Sequence, residues 1–528
     1  MSKNILYKIV KKIVNLFRLS DYADDEKQFI EFNKKDWEMP SEDCEGVIYI
    51  YAGGTLAYQV IGAAIVGKAM ERMYKKRPIV LLAGPEKDSR TKAAIYHSFG
   101  IQDFINFRKF KPSTICKVLR QLLRFRATCS TGEDILNFEF MGRKMGHYLY
   151  DGILRCYEGK YTIRRRNELR LFDYMKMAEW FLTAYQLDEC FKTYRIKELI
   201  YVDWDHMPQS AAEFIARKYE AILYVVCEGF VIKQDAGKSE GYRIIKSFEP
   251  IQREFWAWVD TLSDMEEIQN YTEQRQKGIA PKQMDIDAYK DKPVLSKEEI
   301  YALFGIKNDK KNVVIAAHSF ADLPHWYKGV IYRDFYDWLE KTIEILNEND
   351  KVNVFLKAHP SRWLYGEENA VNELLERVAH QHIYVLPDYI STASVAETMD
   401  YVVTCNGTMG LEMAGFGIPV FTAAEGYWTG YGIEISSGTA EEYREHLMHI
   451  DSYERLDKET QKTARLLLYY IWNQNLYRWT LCNDIIDFAD GINYPAENQY
   501  AVFNEGFKQG RSFREPKYEN CLEDMRER

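Results

Sequence analysis

Short apolar runs with polar or glycine-bearing tips alternate with amphipathic stretches along most of the chain, the pattern of strands and helices taking turns in a parallel α/β fold. Residues 47–51 read as a compact strand, Gly53-Gly54-Thr55 as a turn, 57–74 as a helix with small residues on one face, and 79–83 as a second strand. This is an opening β-α-β unit of nucleotide-fold type. After a long, mostly helical and basic stretch from 109 to 191, the alternation resumes with a strand at 198–202, a helix at 208–219 and a strand at 221–226. The strand ends present Asp203, Asp205 and His206 on one loop and Glu228 on the next.

A second series opens at Asn312. A strand at 313–317 ends in His318-Ser319-Phe320-Ala321-Asp322, and a helix starting in 334–339 runs to 346. A strand at 352–356 ends in Lys357-Ala358-His359-Pro360, followed by a helix at 367–379, a strand at 383–386 and a short helix at 394–399. The strand 401–404 runs into Asn406-Gly407-Thr408-Met409-Gly410-Leu411-Glu412, after which Gly417-Ile418-Pro419-Val420-Phe421 reads as a loop and the next strand. Residues 263–293 are polar and irregular, as in an insertion and linker. A helix at 462–477 is rich in aromatics and leucine, and the chain after 493 looks like a polar tail.

Two of these strand tips carry the chemistry. Proline keeps the residue before it out of the α region, so His359 is expected extended at its strand tip, with an imidazole able to donate to a phosphate and Lys357 close by as a point charge. The competing reading is an ordinary strand-ending turn. In the other loop, small residues let the backbone approach a ligand, and Thr408 reads as the N-cap of a helix whose first amides face an anion. The capping-box partner would be Leu411, which cannot serve, so the Glu412 carboxylate is left to accept from ribose hydroxyls or to complement the helix dipole. Both tips belong to the rim where open α/β sheets bind ligands.

At 528 residues the chain exceeds one hydrophobic core, so two domains with a cleft are expected. A net charge of −9 argues against general nucleic-acid binding. Nine cysteines without a Cys-x-x-Cys pair read as reduced thiols of a cytoplasmic protein, with no disulfide framework and no zinc site expected. At the N-terminus Ile5, Ile9, Ile13 and Leu16 recur at helical spacing among Lys8, Lys11, Lys12 and Arg18. Such a basic amphipathic helix either lies on an anionic membrane surface through residues 1–19 or docks on the protein itself. The basic stretch with Arg164-Arg165-Arg166 reads as a solvated face, with binding of a charged acceptor as the other reading.

The motifs at 318–322, 334–339, 357–361 and 404–420, in that order and spacing, resemble the C-terminal half of bacterial capsular polysaccharide biosynthesis proteins; 203–230 resembles their N-terminal half. That family is similar to GT-B glycosyltransferases, including Kdo-transferring capsule enzymes and, distantly, bacterial sialyltransferases with a His-Pro motif. The match covers most of 195–430. It implies a GT-B-like α/β fold: two Rossmann-like domains facing a central cleft, with an acceptor domain at 25–295 carrying a helical insertion and a donor domain at 296–492. Flanking them are the basic helix at 1–24 and a polar tail at 493–528.

The implied activity is metal-independent transfer of a sugar from a nucleotide-sugar, CMP- or UDP-linked, to a capsular or O-antigen type polysaccharide or a lipid-linked acceptor. No cofactor beyond this co-substrate is implied, Asp203-Trp204-Asp205 being read as a chance match to a metal motif, and the place of action is the cytoplasm or the inner face of the membrane. His359 would contact the donor phosphate, with Lys357, Pro360, His318, Asn406, Gly407, Thr408 and Glu412 around the phosphate or ribose. Asp205 is the first choice of acceptor base, Glu228 the second, with His206 beside them; Gly53, Gly54 and Thr55 would form an acceptor or phosphate loop. The sequence departs from many relatives in Lys-Ala-His-Pro for Lys-Pro-His-Pro and in Cys405 before Asn-Gly-Thr. Three other readings stay open: a CDP-polyol phosphotransferase with His318 or His206 as base, a nucleotide-sugar epimerase of the same fold, and a non-catalytic nucleotide-binding partner in capsule assembly.

Overall fold

A computed structural model describes residues 23–35, 37, 43–54, 57–82, 86–107, 111–156, 159–202, 207–227, 230–235, 252–276, 292–325, 329–378, 383–471 and 499–510. Two six-stranded sheets organise it. The first contains β1 (Gly46–Ala52), β2 (Lys76–Leu82), β3 (Asp103–Asn106), β6 (Glu198–Tyr201), β7 (Ile222–Cys227) and β8 (Phe230–Asp235), in the order β3-β2-β1-β6-β7-β8. Its strands are parallel except β8, which pairs antiparallel with β7. The sequence pattern did not reveal this edge strand. A small hairpin of β4 (Glu139–Phe140) and β5 (Arg143–Lys144) stands apart.

The second sheet contains β9 (Lys311–Ala316), β10 (Val352–Lys357), β11 (Ile383–Val385), β12 (Tyr401–Thr404), β13 (Val420–Thr422) and β14 (Glu434–Ser436), all parallel, in the order β11-β10-β9-β12-β13-β14. Its central strands are buried on both faces and read as near-continuous apolar runs. Both sheets therefore have the doubly wound strand order, and the chain is two Rossmann-like α/β domains, as the GT-B-like expectation required.

Helices cover each sheet on both sides. On one face of the first sheet lie α1 (Asp24–Asn33), α2 (Ala57–Tyr74), α3 (Glu86–Ser98) and the late helix α18 (Gln499–Lys508), whose Phe503 packs 6.2 Å from Phe29. On the other lie α4 (Pro112–Thr128), α5 (Gly132–Leu136), α6 (Gly146–Leu154), α7 (Leu171–Tyr194) and α8 (Ala211–Lys218), around the buried Trp180. The helices α9 (Gln252–Val259) and α10 (Glu266–Gln276) pack on the second domain, where Phe255 and Tyr271 join Trp428 and Tyr469. The helix α10 lies in the stretch read as irregular linker. Its polar residues hid it, because only Ile268, Tyr271 and Thr272 with Arg275 turn inward.

The rest of the second domain is α11 (Lys297–Phe304), α12 (Phe335–Asn347), α13 (Ala370–Arg377), α14 (Thr392–Thr398), α15 (Thr408–Ala414), α16 (Ala440–Met448) and α17 (Lys458–Tyr469). Ser296 and Glu299 form a capping box on α11.

The domains meet through residues 129–168 of the first, which reach the second domain's strand ends. Ala321 and Tyr365 pack into the first domain's core, and Tyr161 into the second's. The Asp334 carboxylate, fully buried, caps α12 through Asp337 N (2.8 Å) and accepts from Thr162 Oγ1 (2.6 Å) and the Tyr150 hydroxyl. Arg164 Nη2 reaches Glu340 at 2.5 Å.

His325 and Asp151 form a buried pair across the same junction, with Nδ1 2.5 Å from the carboxylate and Nε2 2.7 Å from the Arg333 carbonyl. Both ring nitrogens face acceptors, so both donate, and the ring is an imidazolium. Burial alone would lower its pKa, but the Asp151 charge and hydrogen bond and the Arg333 carbonyl hold it above the ordinary histidine value.

Among the described residues no helix is long and apolar enough to cross a membrane, and no cluster of metal-ligating side chains occurs. The basic helix expected at 1–24 lies mostly outside the described residues.

Candidate functional site

In the second sheet, β9 and β12 sit side by side where the strand order reverses, and the crevice outside their C-terminal ends is the ligand position of such sheets. Four loops converge there: 317–325 after β9, 358–366 after β10, 405–407 after β12 and 423–426 after β13.

The loop after β12 is held from below. Thr404 Oγ1 lies 3.3 Å from the Ala316 carbonyl and accepts from Gly407 N (3.1 Å); Asn406 N donates to His318 Nε2 (3.3 Å), and Asn406 Nδ2 to the Glu425 carbonyl (3.1 Å). An amide donor on Nε2 places the His318 proton on Nδ1. The His318 ring stacks on Phe335 at 4.3 Å, and loss of solvent, with His359 nearby, pushes its pKa down to about 3. His318 Nε2 thus braces the loop and the ring stays neutral. Gly407 belongs to the same close fit, since a Cβ there would come 2.9 Å from Thr404 Oγ1.

The loop after β10 follows the sequence reading more closely. His359 is extended (φ −65°, ψ 133°) and caps the 3₁₀ turn Pro360–Tyr365. Its Nδ1 accepts from Ser361 N (3.2 Å) and faces Ser319 Oγ (3.0 Å), so the ring is neutral and its donor is Nε2–H. Ser319 was not singled out from sequence; no local motif marks it, and only the fold brings it to His359. The buried Glu367 carboxylate accepts from Phe320 N (2.8 Å) and Ala321 N (2.7 Å), fastening the β9 loop to the end of this turn. Burial pushes its pKa up to about 7 against those two bonds.

Lys357 has a partner that the sequence did not reveal. Its Nζ donates to the Ile390 carbonyl at 2.7 Å, and burial, with Lys292 nearby, lowers its pKa to about 8. The ammonium steadies the loop after β11 through this bond.

The cap of α15 is Gly407, and Thr408 is the first helical residue, its hydroxyl accepting from Tyr427 at 2.6 Å. The amides of Asn406, Gly407 and Gly410 all have partners within the loop or its supports. Those of Thr408 and Met409 have no internal acceptor among the described residues. Glu412 is buried and paired with Arg275 of α10 (Nε to Oε1, 2.7 Å), beside a cavity of about 10 Å³ also lined by Thr272, Thr392 and Phe416. Its carboxylate fixes α10 to the second domain. The ribose expectation did not foresee this pairing, since Arg275 lies 137 residues away in sequence.

In the first domain, Asp205, His206 and Glu228, with Thr55, lie outside the described residues. The residues bracketing the Asp205 loop are placed. Val202 lies under Gly54, where a Cβ would come 2.8 Å from Val202 Cγ2, and Gln209 Nε2 donates to the Gly53 carbonyl at 3.2 Å. Gly53 is equally confined, since a Cβ there would run into the Tyr51 ring. Both glycines thus serve close packing where β1 and β6 adjoin, the switch point of the first sheet.

No protein-family model and no curated protein matches the chain in sequence. Solved structures with similar folds include a β-Kdo 2,4 transferase, KpsC, of Thermosulfurimonas dismutans (13% identity, 51% of this chain and 79% of that one, TM-score 0.31). Others are the S. aureus MnaA–UDP structure (12%, 84% and 95%, TM-score 0.27) and a glycosyltransferase from Rickettsia africae ESF-5 (12%, 86% and 100%, TM-score 0.29). With these TM-scores below 0.5, the fold class rests on the strand order and not on the likeness.

Proposed function

We propose that the chain is a glycosyltransferase that takes a sugar from a nucleotide-linked donor held at the switch point of the second sheet and passes it to a saccharide or lipid-linked acceptor held by the first domain. What supports this reading is that His359 and the start of α15 follow β10 and β12, the strands on either side of β9 at the second sheet's switch point. A neutral imidazole with its proton fixed on Nε2 and the amides of Thr408 and Met409 supply donors without a full positive charge. Such groups suit a phosphate whose charge grows as the glycosidic bond to it breaks.

The division of labour follows from the packing. His318, Thr404 and Glu367 shape the two loops, while Lys357 and Glu412 hold neighbouring segments in place. In this reading a carboxylate of the first domain, Asp205 first and Glu228 second, removes the proton from the acceptor hydroxyl. Burying the cleft between the domains would exclude water as a competing acceptor.

The test is turnover of CMP-, UDP-, GDP- and dTDP-linked sugars by the full chain, with and without saccharide and lipid-linked acceptors. Glycosyltransfer requires that nucleotide release depend on acceptor and that a new glycoside form. Conversion of the donor sugar with no acceptor present would identify an epimerase instead. Transfer of a phosphate-bearing group from a CDP-polyol would identify a phosphotransferase.

A further inference from the structure

We infer that the outward face of α4 docks on an anionic lipid surface. The helix Pro112–Thr128 packs on the first domain through Thr114, Val118 and Phe125. Its opposite side carries Ile115, Leu119 and Leu123, one helical stripe that is 42%, 54% and 68% exposed. A solvated helix face would be polar at these positions. Arg120 and Arg126 border the stripe, while Lys117 and Arg124 turn inward over the Tyr185 and Phe138 rings; the helix contains no acidic residue, and among the described residues neither Arg120 nor Arg126 is in an ion pair. The antiparallel neighbour α7 exposes a further apolar group at its start, Leu171, Phe172 and Met175, at 79%, 43% and 59%.

Charge selects the occupant. The chain as a whole carries −9, so an anionic bilayer would repel it except where cations are concentrated, and α4 is such a place. Apolar side chains bordered by Arg120 and Arg126 match the boundary between lipid headgroups and acyl chains, where the stripe inserts and the guanidinium groups meet phosphates. This surface differs from the one expected of residues 1–19, because α1, which follows that segment, packs on the opposite face of the first sheet.

The experiment is flotation of the full-length chain with phosphatidylcholine vesicles, with and without phosphatidylglycerol. Three full-length variants accompany it: Leu119→Asp/Leu123→Asp, Arg120→Glu/Arg126→Glu, and Lys8→Glu/Lys11→Glu/Lys12→Glu. The wild type should float only with the anionic vesicles, and each α4 variant should lose about tenfold or more of that binding. All α4 changes are at exposed positions, and melting curves check that the fold persists; the arginine pair decides if the leucine pair unfolds. The inference is overturned if the wild type binds neither vesicle, binds both equally, or keeps its binding in both α4 variants while the N-terminal variant loses it. Leucine-dependent self-association without lipid binding would also overturn it, by assigning the face to a second copy of this chain.

Discussion

Replacing Asp151 by alanine should open the junction between the domains, and by an amount that depends on pH. Asp151 is fully buried and accepts from His325 Nδ1 at 2.5 Å and from the His325 backbone amide at 3.4 Å. The ring's other nitrogen donates to the Arg333 carbonyl, Tyr150 packs edge-on at 5.1 Å, and Asp334 lies nearby. Removing the carboxylate leaves a buried imidazolium with its charge uncompensated, a loss of about 3–5 kcal/mol. Because His325 has a folded pKa above its ordinary value, the pair's stabilisation is complete below about pH 6.5 and fades as pH rises through the folded pKa. Hydrogen–deuterium exchange, corrected for intrinsic rates, would follow α6 and α12, which flank the junction. At about pH 6 the variant's protection should fall by about a hundredfold to several thousandfold. At about pH 9 the gap from wild type should narrow. Unchanged protection at the lower pH, or an equal loss at both, would refute an imidazolium at this position.

Other consequences follow from the site. His359→Ala should weaken a bound nucleotide by about ten- to a hundredfold, the worth of a hydrogen bond to a charged group, as read by calorimetric titration. Gly407→Ala should also impair binding while leaving the melting temperature of the fold nearly unchanged, because the new Cβ displaces a loop only 2.9 Å from Thr404 Oγ1. Lys357→Met should leave nucleotide affinity within about twofold of wild type, since the ammonium serves the Ile390 carbonyl. With its folded pKa lowered to about 8, Lys357 opposes folding most below that value and less as pH climbs towards its unfolded 10.5; the variant should lack this rise in denaturant midpoint. Glu412→Gln should act on stability, exposing α10 to exchange by removing the negative charge that the Arg275 guanidinium faces, with up to about 3–5 kcal/mol at stake.

The sequence was most legible where an element is buried nearly all round. Helix 57–74 and strand 401–404 emerged with the observed bounds, because each is a near-continuous apolar run with polar or glycine residues at its ends. Elements that are polar outside or short were missed: β8, β14, and α10, whose inward Ile268 and Tyr271 are diluted by the charged and amide residues around them. In the site, His359 was readable because proline restricts its backbone locally. The partners of Lys357, Glu412 and His318 were not, since Ile390, Arg275 and the Asn406 amide reach them only through the fold. Thr408 lost its cap role to Gly407, a one-residue shift of the kind local propensity does not resolve.

Whether the second domain holds a nucleotide through His359 is decided by titrating the full chain with CMP, CDP, UDP, GDP and dTDP in a calorimeter, beside His359→Ala and Lys357→Met. One nucleotide should bind the wild type and Lys357→Met alike and bind His359→Ala at least about tenfold more weakly. Binding that survives in His359→Ala, or no binding by any of the five, would contradict a donor site at the switch point of the second sheet.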